Sequence, residues 1–373
     1  MHKTDILLLY YYDVQNAGTI TEHLTSFKKY SSFAVEEVNL LNLDSPNRIR
    51  KMDFSAVVLH YTLFGMQYYL IPEEVSYIVS HRDAVRVAFF QDEHHQIPKR
   101  FNYVNEYDVD MVYTLLEPAD FRATYYTHTK APVVLSTLPG YVSEELVTLS
   151  EKLAGNGERP IDIGYRGRRL DLTLGIEGQE KHDIAVEFKR RTQNMGLALD
   201  IETNETRRIY GDAWPKFIAS CKAMLGVEAG IAMFDFEDRA RLEARRLRKA
   251  APHLSEQEVY DLAVRDEEMR NRVRYREMSP RHFEAAALKT CQILFEGRYS
   301  GIMEPDRHYI PLRKDFSNFD EVIEKFRSPG LRARLVDNAY RDLIASGRFS
   351  YRRFVQDFDV QLRLMGVRPG ARV

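Results

Sequence analysis

Short apolar runs without a polar break recur along this chain, separated by stretches of helix length, and that alternation restricts the fold more than any other feature. Residues 5–12 read DILLLYYY, then comes the polar loop DVQNAGT, then ITEHLTSFKKY with its apolar positions on one helical face. Further apolar runs occur at Ala56 to His60, Val85 to Phe90, Met111 to Thr114 and Val133 to Leu135. A strand that is apolar throughout has no side to turn to water. It is buried on both faces, as happens when helices cover both sides of a parallel sheet. The expected fold class is therefore α/β with doubly wound, Rossmann-like sheets. In such sheets ligands sit beyond the carboxyl ends of the strands. One rim should then carry Asp13, Gly18 and Thr19 after the first strand, His60 to Thr62 after the next, and the loop Gln91 to His95, with His23 nearby on the first helix.

The chain has 373 residues, more than one ordinary domain, and divides most simply into two of about 150 to 200 residues each. The polar, Gly-containing stretch AGNGERP at 154–160 reads as the hinge. Residues 1–155 then form one Rossmann-like domain, and 160–345 a second whose strands are read as IDIGYRG, HDIAVEF, ALDIE, AGIAMFDF and CQILF. Between the last two lies an arginine-rich insertion, about Glu237 to Arg276, that reads as a solvated helical hairpin. Beyond Phe319 the chain reads as helices, the final segment being 346–373.

A hydrophobic fraction of 44% with 12% aromatic residues is that of a globular protein. The formal net charge of −2 lacks the basic surplus of a dedicated nucleic-acid binder. Cys221 and Cys291 have no CxxC or zinc-type spacing and read as free core thiols. Asp5 and Asp13 bracket the first apolar run, so it does not read as a secretory leader. No run approaches the roughly 20 apolar residues of a membrane span. The expectation is a cytoplasmic protein, compatible with contact at a membrane surface. No GxGxxG marks a dinucleotide site. In YDVDMVY, Asp108 and Asp110 precede a strand, away from the ligand rim, and read as solvated acids; no metal site is expected.

Three loops carry chemistry. In SPRHFEAAALKTCQILFEGRYSGIMEPDRHYIPLRKDFSN, Ser279 is placed to cap a helix whose first residue is Pro280. A helix start attracts anions, Arg281 adds a guanidinium, and Glu284, about a turn further on, is placed to accept hydrogen bonds from the two hydroxyls of a ribose. Gly164, Arg166, Gly167 and Arg168 follow the short run IDI and read as a second diphosphate contact, or as an ordinary turn with surface arginines. In QDEHH, Asp92 and His94 are suited to take or orient the proton of an acceptor hydroxyl, or belong to a solvated loop.

These residues resemble the C-terminal half of bacterial GT-B glycosyltransferases, group 1 and especially the spore-maturation-protein-like (CgeB-like) members, whose pattern runs SPRxFEA, a Gly-containing turn, HYIPL and DFSN. Weaker echoes are IDIGYRGR at 161–168, CKAMLGVEAG at 221–230 and FFQDEHH at 89–95. The resemblance implies two facing Rossmann-like domains, with the last helix crossing back to the first. It also implies a nucleotide-diphosphate sugar as donor, no further cofactor, a leaving group neutralised by cations rather than a metal, and a carbohydrate, lipid-linked or protein acceptor in surface polysaccharide or glycoconjugate synthesis. It places Lys222, Gly226 and Gly230 near the nucleotide, although Gly226 also fits a plain helix C-cap. Many retaining members carry a further glutamate at the spacing that runs from Glu284 back to position 276. Here that residue is Arg276, and the nearest acid is Glu277. A nucleotide-sugar epimerase and an inactive nucleotide-sugar-binding scaffold stay open as alternatives.

Overall fold

The structure, a computed structural model, describes residues 2–13, 18–65, 69–153, 158–231, 234–264 and 273–370. Six strands, His2–Tyr10 (β1), Val35–Asn39 (β2), Met52–Leu59 (β3), Val85–Phe89 (β4), Met111–Thr114 (β5) and Val133–Ser136 (β6), form one sheet. Their order is β2-β1-β3-β4-β5-β6 and every pairing is parallel. Ile6, Leu7, Leu8 and Leu9 are each 0% exposed, and successive residues enter opposite cores. Ile6 and Leu8 pack with Phe27, Phe89 and Phe358, whereas Leu7 and Leu9 pack with Phe64, Phe90 and Tyr125. That two-sided burial is why the run shows no polar alternation.

A second parallel sheet holds Ile161–Arg166 (β7), Leu199–Glu202 (β8), Cys221–Gly226 (β9), Cys291–Phe295 and Ile310–Leu312. Ala229–Ile231 (β10) and Tyr275–Glu277 (β11) form a separate antiparallel pair, so the last two strands of the sheet are β12 and β13. The sheet order is β13-β12-β9-β7-β8. In both sheets the first strand lies between the second and the third, and the carboxyl ends of those central strands open on the crevice where such folds bind ligands.

Two strand assignments need correction. HDIAVEF lies within a helix, Glu180–Arg191, whose buried Ile184, Ala185 and Phe188 share one face at helical spacing. CKAMLG, read as a helix end, is β9, and AGIAMFDF contributes only the short β10. Most of the loop DVQNAGT and residues 154–157 of AGNGERP lie outside the described residues.

Helix α1, Gly18–Tyr30, covers one face of the first sheet, and α2 is the helix Glu180–Arg191. Next come α3, Ala213–Ala219, then α4, Arg239–Ala250, and α5, Glu256–Ala263, which pack on each other and on Leu172 through Ala240, Ala244, Val259 and Tyr260. Helix α6 is Pro280–Ala287 and α7 is Tyr351–Leu364. The two sheets are tied together twice. Helix α7 returns to the first sheet, where Phe354, Phe358 and Leu362 join Ile6, Leu8 and Phe27. Asp359 accepts hydrogen bonds from the Ser31 hydroxyl at 2.7 Å and the Ser32 backbone N–H at 2.6 Å. From the other side, Ile231 of β10, Tyr275 of β11 and the nearby Phe234 enter the core that holds Phe64, Phe90 and Tyr125. Among the described residues no helix is long and apolar enough to cross a membrane.

Candidate functional site

The wall supplied by the second sheet is cationic and largely unpaired. Pro280 opens α6 with Ser279 in the N-cap position, its backbone extended as a cap's is, but the Ser279 hydroxyl makes no capping bond. Pro280 has no N–H and that of His282 donates to the Ser279 carbonyl at 3.0 Å, which leaves the Arg281 N–H as the backbone donor a ligand anion can use at the start of α6. Arg281 lies over the Trp214 ring, 4.9 Å from its centroid, and Nη1 donates to the Arg166 carbonyl. Lys181, the second residue of α2, is half-buried; its carbonyl accepts from Tyr165 Oη at 2.8 Å, and its ammonium has no hydrogen bond or ion pair among the described residues. Burial first, then the positive charge of Arg281, pulls its pKa down to about 8. Arg168 is exposed and equally unpaired. One turn into α6, Glu284 accepts from Trp214 Nε1 at 2.6 Å. Burial raises its pKa, opposed by that bond and by Arg281.

Glu277, which ends β11, is 8% exposed, and its Oε2 has no partner among the described residues. Burial, then Asp92 and Glu93, push its pKa well above the carboxylate range, with Lys181 pulling the other way. Glu277 is thus coupled electrostatically to both the Asp92 carboxyl and the Lys181 ammonium.

The opposing wall is the loop after β4. Glu93 is its anchor, accepting from Thr114 Oγ1 and Tyr125 Oη, each at 2.5 Å, and from the Leu115 N–H at 2.9 Å. With Glu93 pulled inward, Asp92 takes a left-handed conformation, φ 50, and its carboxylate is exposed with no partner among the described residues. His94 Nδ1 is buried without a partner, and its ring lies 5.7 Å from that of Tyr275. Burial, then His95, hold His94 neutral, with its pKa well below the usual value. Asp13 is exposed at the end of β1, Gly18 starts α1 in open space, and the Thr19 carbonyl accepts from Tyr351 Oη at 3.2 Å.

Six of the predicted contacts are packed against or paired with other groups of the protein. His23 is 3% exposed in a box of Phe27, Phe89 and Phe354, its Nδ1 3.0 Å from His60 Nε2, and burial lowers its pKa to about 3. Because His60 Nδ1 accepts from the Thr62 N–H, the proton between the two rings is assigned to His60. Gly164 lies inside β7, where a Cβ would stand 2.4 Å from Cys221 Sγ. Arg166 is 6% exposed and engaged by the protein: Nε donates to the Arg207 carbonyl at 3.1 Å, Nη1 to the carbonyls of Tyr165 and Asp200 at 2.8 and 2.9 Å, and Nη2 to the Asp200 carboxylate at 2.9 Å. Four of its five N–H donors are thus taken by the protein, which leaves it little to offer a phosphate. Lys222 starts β9 at the end away from the crevice and pairs with Asp162 at 2.7 Å. Gly226 closes β9 against Leu294 and His282, and Gly230, at φ +85, avoids the Tyr275 carbonyl that a Cβ would meet at 2.1 Å.

Lys181 and Trp214 are absent from the sequence reading, and Glu277 is named there as the acid nearest position 276 without a role. Lys181 was hidden by taking the following residues for a strand. Glu277 is the acid nearest the position that Arg276 occupies, and Arg276 is spent on Glu180. Glu22 of α1, bonded to Ser143 at 2.7 Å, also faces this space: burial raises its pKa to about 6, and Glu284 adds to the rise. Asp110 lies away from the rim and accepts from the Arg86 N–H at 2.8 Å. Among the described residues no group of three or more His, Cys, Asp or Glu is placed to hold a metal ion.

No family model and no curated protein sequence matches the chain. Solved structures do. An α-glucosyltransferase in complex with UDP-glucose and DNA containing an abasic site superposes with a TM-score of 0.52 at 12% identity, over 98% of this chain and 100% of that one. Anabaena HepE in complex with UDP gives 0.50 at 10% identity, over 96% and 100%. The fold is GT-B. TarM gives 0.44 at 10% identity, over 81% of this chain, which spans about half (53%) of TarM's length.

Proposed function

We propose that this chain is a glycosyltransferase of the spore-maturation-protein-like kind that moves a sugar from a nucleoside diphosphate sugar to an acceptor hydroxyl without a catalytic metal. One observation carries the reading: the unpaired ammonium of Lys181 lies within electrostatic reach of Arg168, Arg281 and Glu277, and Glu277 in turn within reach of Asp92, whose carboxylate is exposed without a partner among the described residues. As the sugar leaves, negative charge builds on the diphosphate, and fixed cations with a helix terminus stabilise it. Glu284 accepts the ribose hydroxyls. Glu277, buried and with a free oxygen, bonds a hydroxyl of the transferred sugar. Asp92 takes the acceptor proton, with neutral His94 beside it. UDP is the first nucleotide to try, because the α-glucosyltransferase and HepE structures hold UDP-glucose and UDP.

The reading is tested by supplying UDP-sugars with carbohydrate, lipid-linked and protein acceptors. Asp92→Asn is expected to lower transfer by about 10²- to 10⁴-fold, with donor affinity by calorimetry nearly unchanged. Full transfer rates in both Asp92→Asn and His94→Ala would return this loop to a structural role. Activity is expected to survive exhaustive EDTA treatment; loss on chelation with rescue by magnesium or manganese would show an ion at the leaving group.

The lowered pKa of Lys181 sets a pH dependence. The free protein carries this charge below about pH 8 and loses it above. A bound diphosphate favours the charged form and raises the pKa in the complex. Donor affinity is therefore steady below that value and falls as pH rises through it, with a proton taken up on binding. Calorimetry just above it, in buffers of different ionisation enthalpy, measures the uptake, and no uptake would remove Lys181 from the diphosphate.

A further inference from the structure

Trp214 is half-buried in α3, edged by Phe217 at 5.8 Å and covered by the Arg281 guanidinium at 4.9 Å. Its indole N–H has one proton to give, and it goes to Oε2 of Glu284 at 2.6 Å. Oε1 has no hydrogen bond among the described residues. Glu284 is thus a carboxylate held by one oxygen and open at the other, and it also faces Glu22 from α1.

We infer that Trp214 is the positioning residue for the sugar ring of the bound nucleotide, and that through Glu284 it makes the site select ribonucleoside over 2′-deoxyribonucleoside diphosphates. This rests on the donor reading above. A carboxylate offers about four acceptor positions, of which the indole occupies one, and the two adjacent hydroxyls of a ribose need one on each oxygen. A free glutamate loses rotamer freedom when a ligand binds it. Here the indole, itself pinned between Phe217 and Arg281, has already set the plane of the carboxylate, so the hydroxyls meet a preorganised acceptor. A site built that way rejects an analogue lacking one hydroxyl, because an acceptor removed from water is then left unmatched.

The chain has a single tryptophan, so its emission reports from this site without labelling. The full-length protein is titrated with UDP, GDP, ADP and CDP by calorimetry and fluorescence, and the nucleotide that binds is compared with its 2′-deoxy counterpart. The ribonucleotide is expected to change the emission and to bind about tenfold or more tightly than the deoxy form. Trp214→Phe is expected to lower ribonucleotide affinity about tenfold and to bring the two ligands within about threefold of each other, since Phe fills the space but donates nothing. Glu284→Gln is expected to lose the discrimination while keeping the tryptophan in place. Binding without any emission change, or a Trp214→Phe protein that still discriminates, overturns the inference and leaves the donor reading standing. If Trp214→Phe does not fold, the wild-type emission and Glu284→Gln decide. If none of the four diphosphates binds, the donor reading fails and this inference with it.

Discussion

Lys181→Ala is expected to weaken nucleoside diphosphate binding by about ten- to a hundredfold and to slow transfer at saturating donor by about 10²- to 10³-fold, with the thermal midpoint unchanged or raised. Lys181 is a half-buried ammonium that forms no ion pair among the described residues, its pKa drawn down to about 8 by burial and by Arg281 against the opposing pull of Glu277. A cation held that way costs the folded state and serves an anion that has yet to arrive. Removing it relieves burial in the free protein and takes away a charge that counts most when the diphosphate departs. Calorimetry with UDP and steady-state rates measure both effects. Unchanged kcat and Kd would mean that Lys181 does not touch the leaving group, and the role would pass to Arg168 and the start of α6.

Arg166→Ala is expected to act on the fold. The side chain ties the end of β7 to Asp200 in β8 and to the Arg207 carbonyl, and its guanidinium covers the Phe217 ring at 4.4 Å. Deleting it strands three carbonyls and one carboxylate. The Asp200 side chain is 36% exposed and regains water, so the loss is about 2–4 kcal/mol, less than for a fully enclosed pair. A fall in the thermal midpoint of roughly 10 °C follows. Donor affinity of the protein that stays folded should be close to wild type. A variant that keeps its midpoint and loses donor affinity would return Arg166 to the phosphates.

The contrast between these residues shows how far the chain could be read before its tertiary contacts were known. The α/β class and the parallel sheets follow from local rules: a run such as ILLL, apolar at every position, is stable only with a core on each side, and Ile6 to Leu9 are divided between two cores. The same locality made Pro280 legible as a helix start, Glu284 as a carboxylate one turn beyond it, and Asp92 as an acid just past a strand end, because each depends on neighbours a few residues away. HDIAVEF was not legible. A short apolar segment fits a buried strand and a helix face equally well, and only the packing of Ile184, Ala185 and Phe188 decides between them.

Availability of a charge is the property that sequence could not settle. Arg166 and Lys181 are both cations near the end of β7, and composition ranks the arginine first as a phosphate ligand. What consumes Arg166 is Asp200, 34 positions away, and what leaves Lys181 free is that Glu277, the acid it is coupled to, stands beyond ion-pair distance. Likewise His23 was withdrawn from the rim by Phe354 of the final helix, and Glu284 gained its donor from Trp214, 70 positions earlier. By itself, then, the sequence determined the sheets, the helix starts and the types of group at the strand ends, since those follow from periodicity and from backbone hydrogen bonding within a few residues. The tertiary structure alone decided which of those groups are satisfied and which are left for a ligand, because pairing and burial are settled by residues that meet only when the chain has folded.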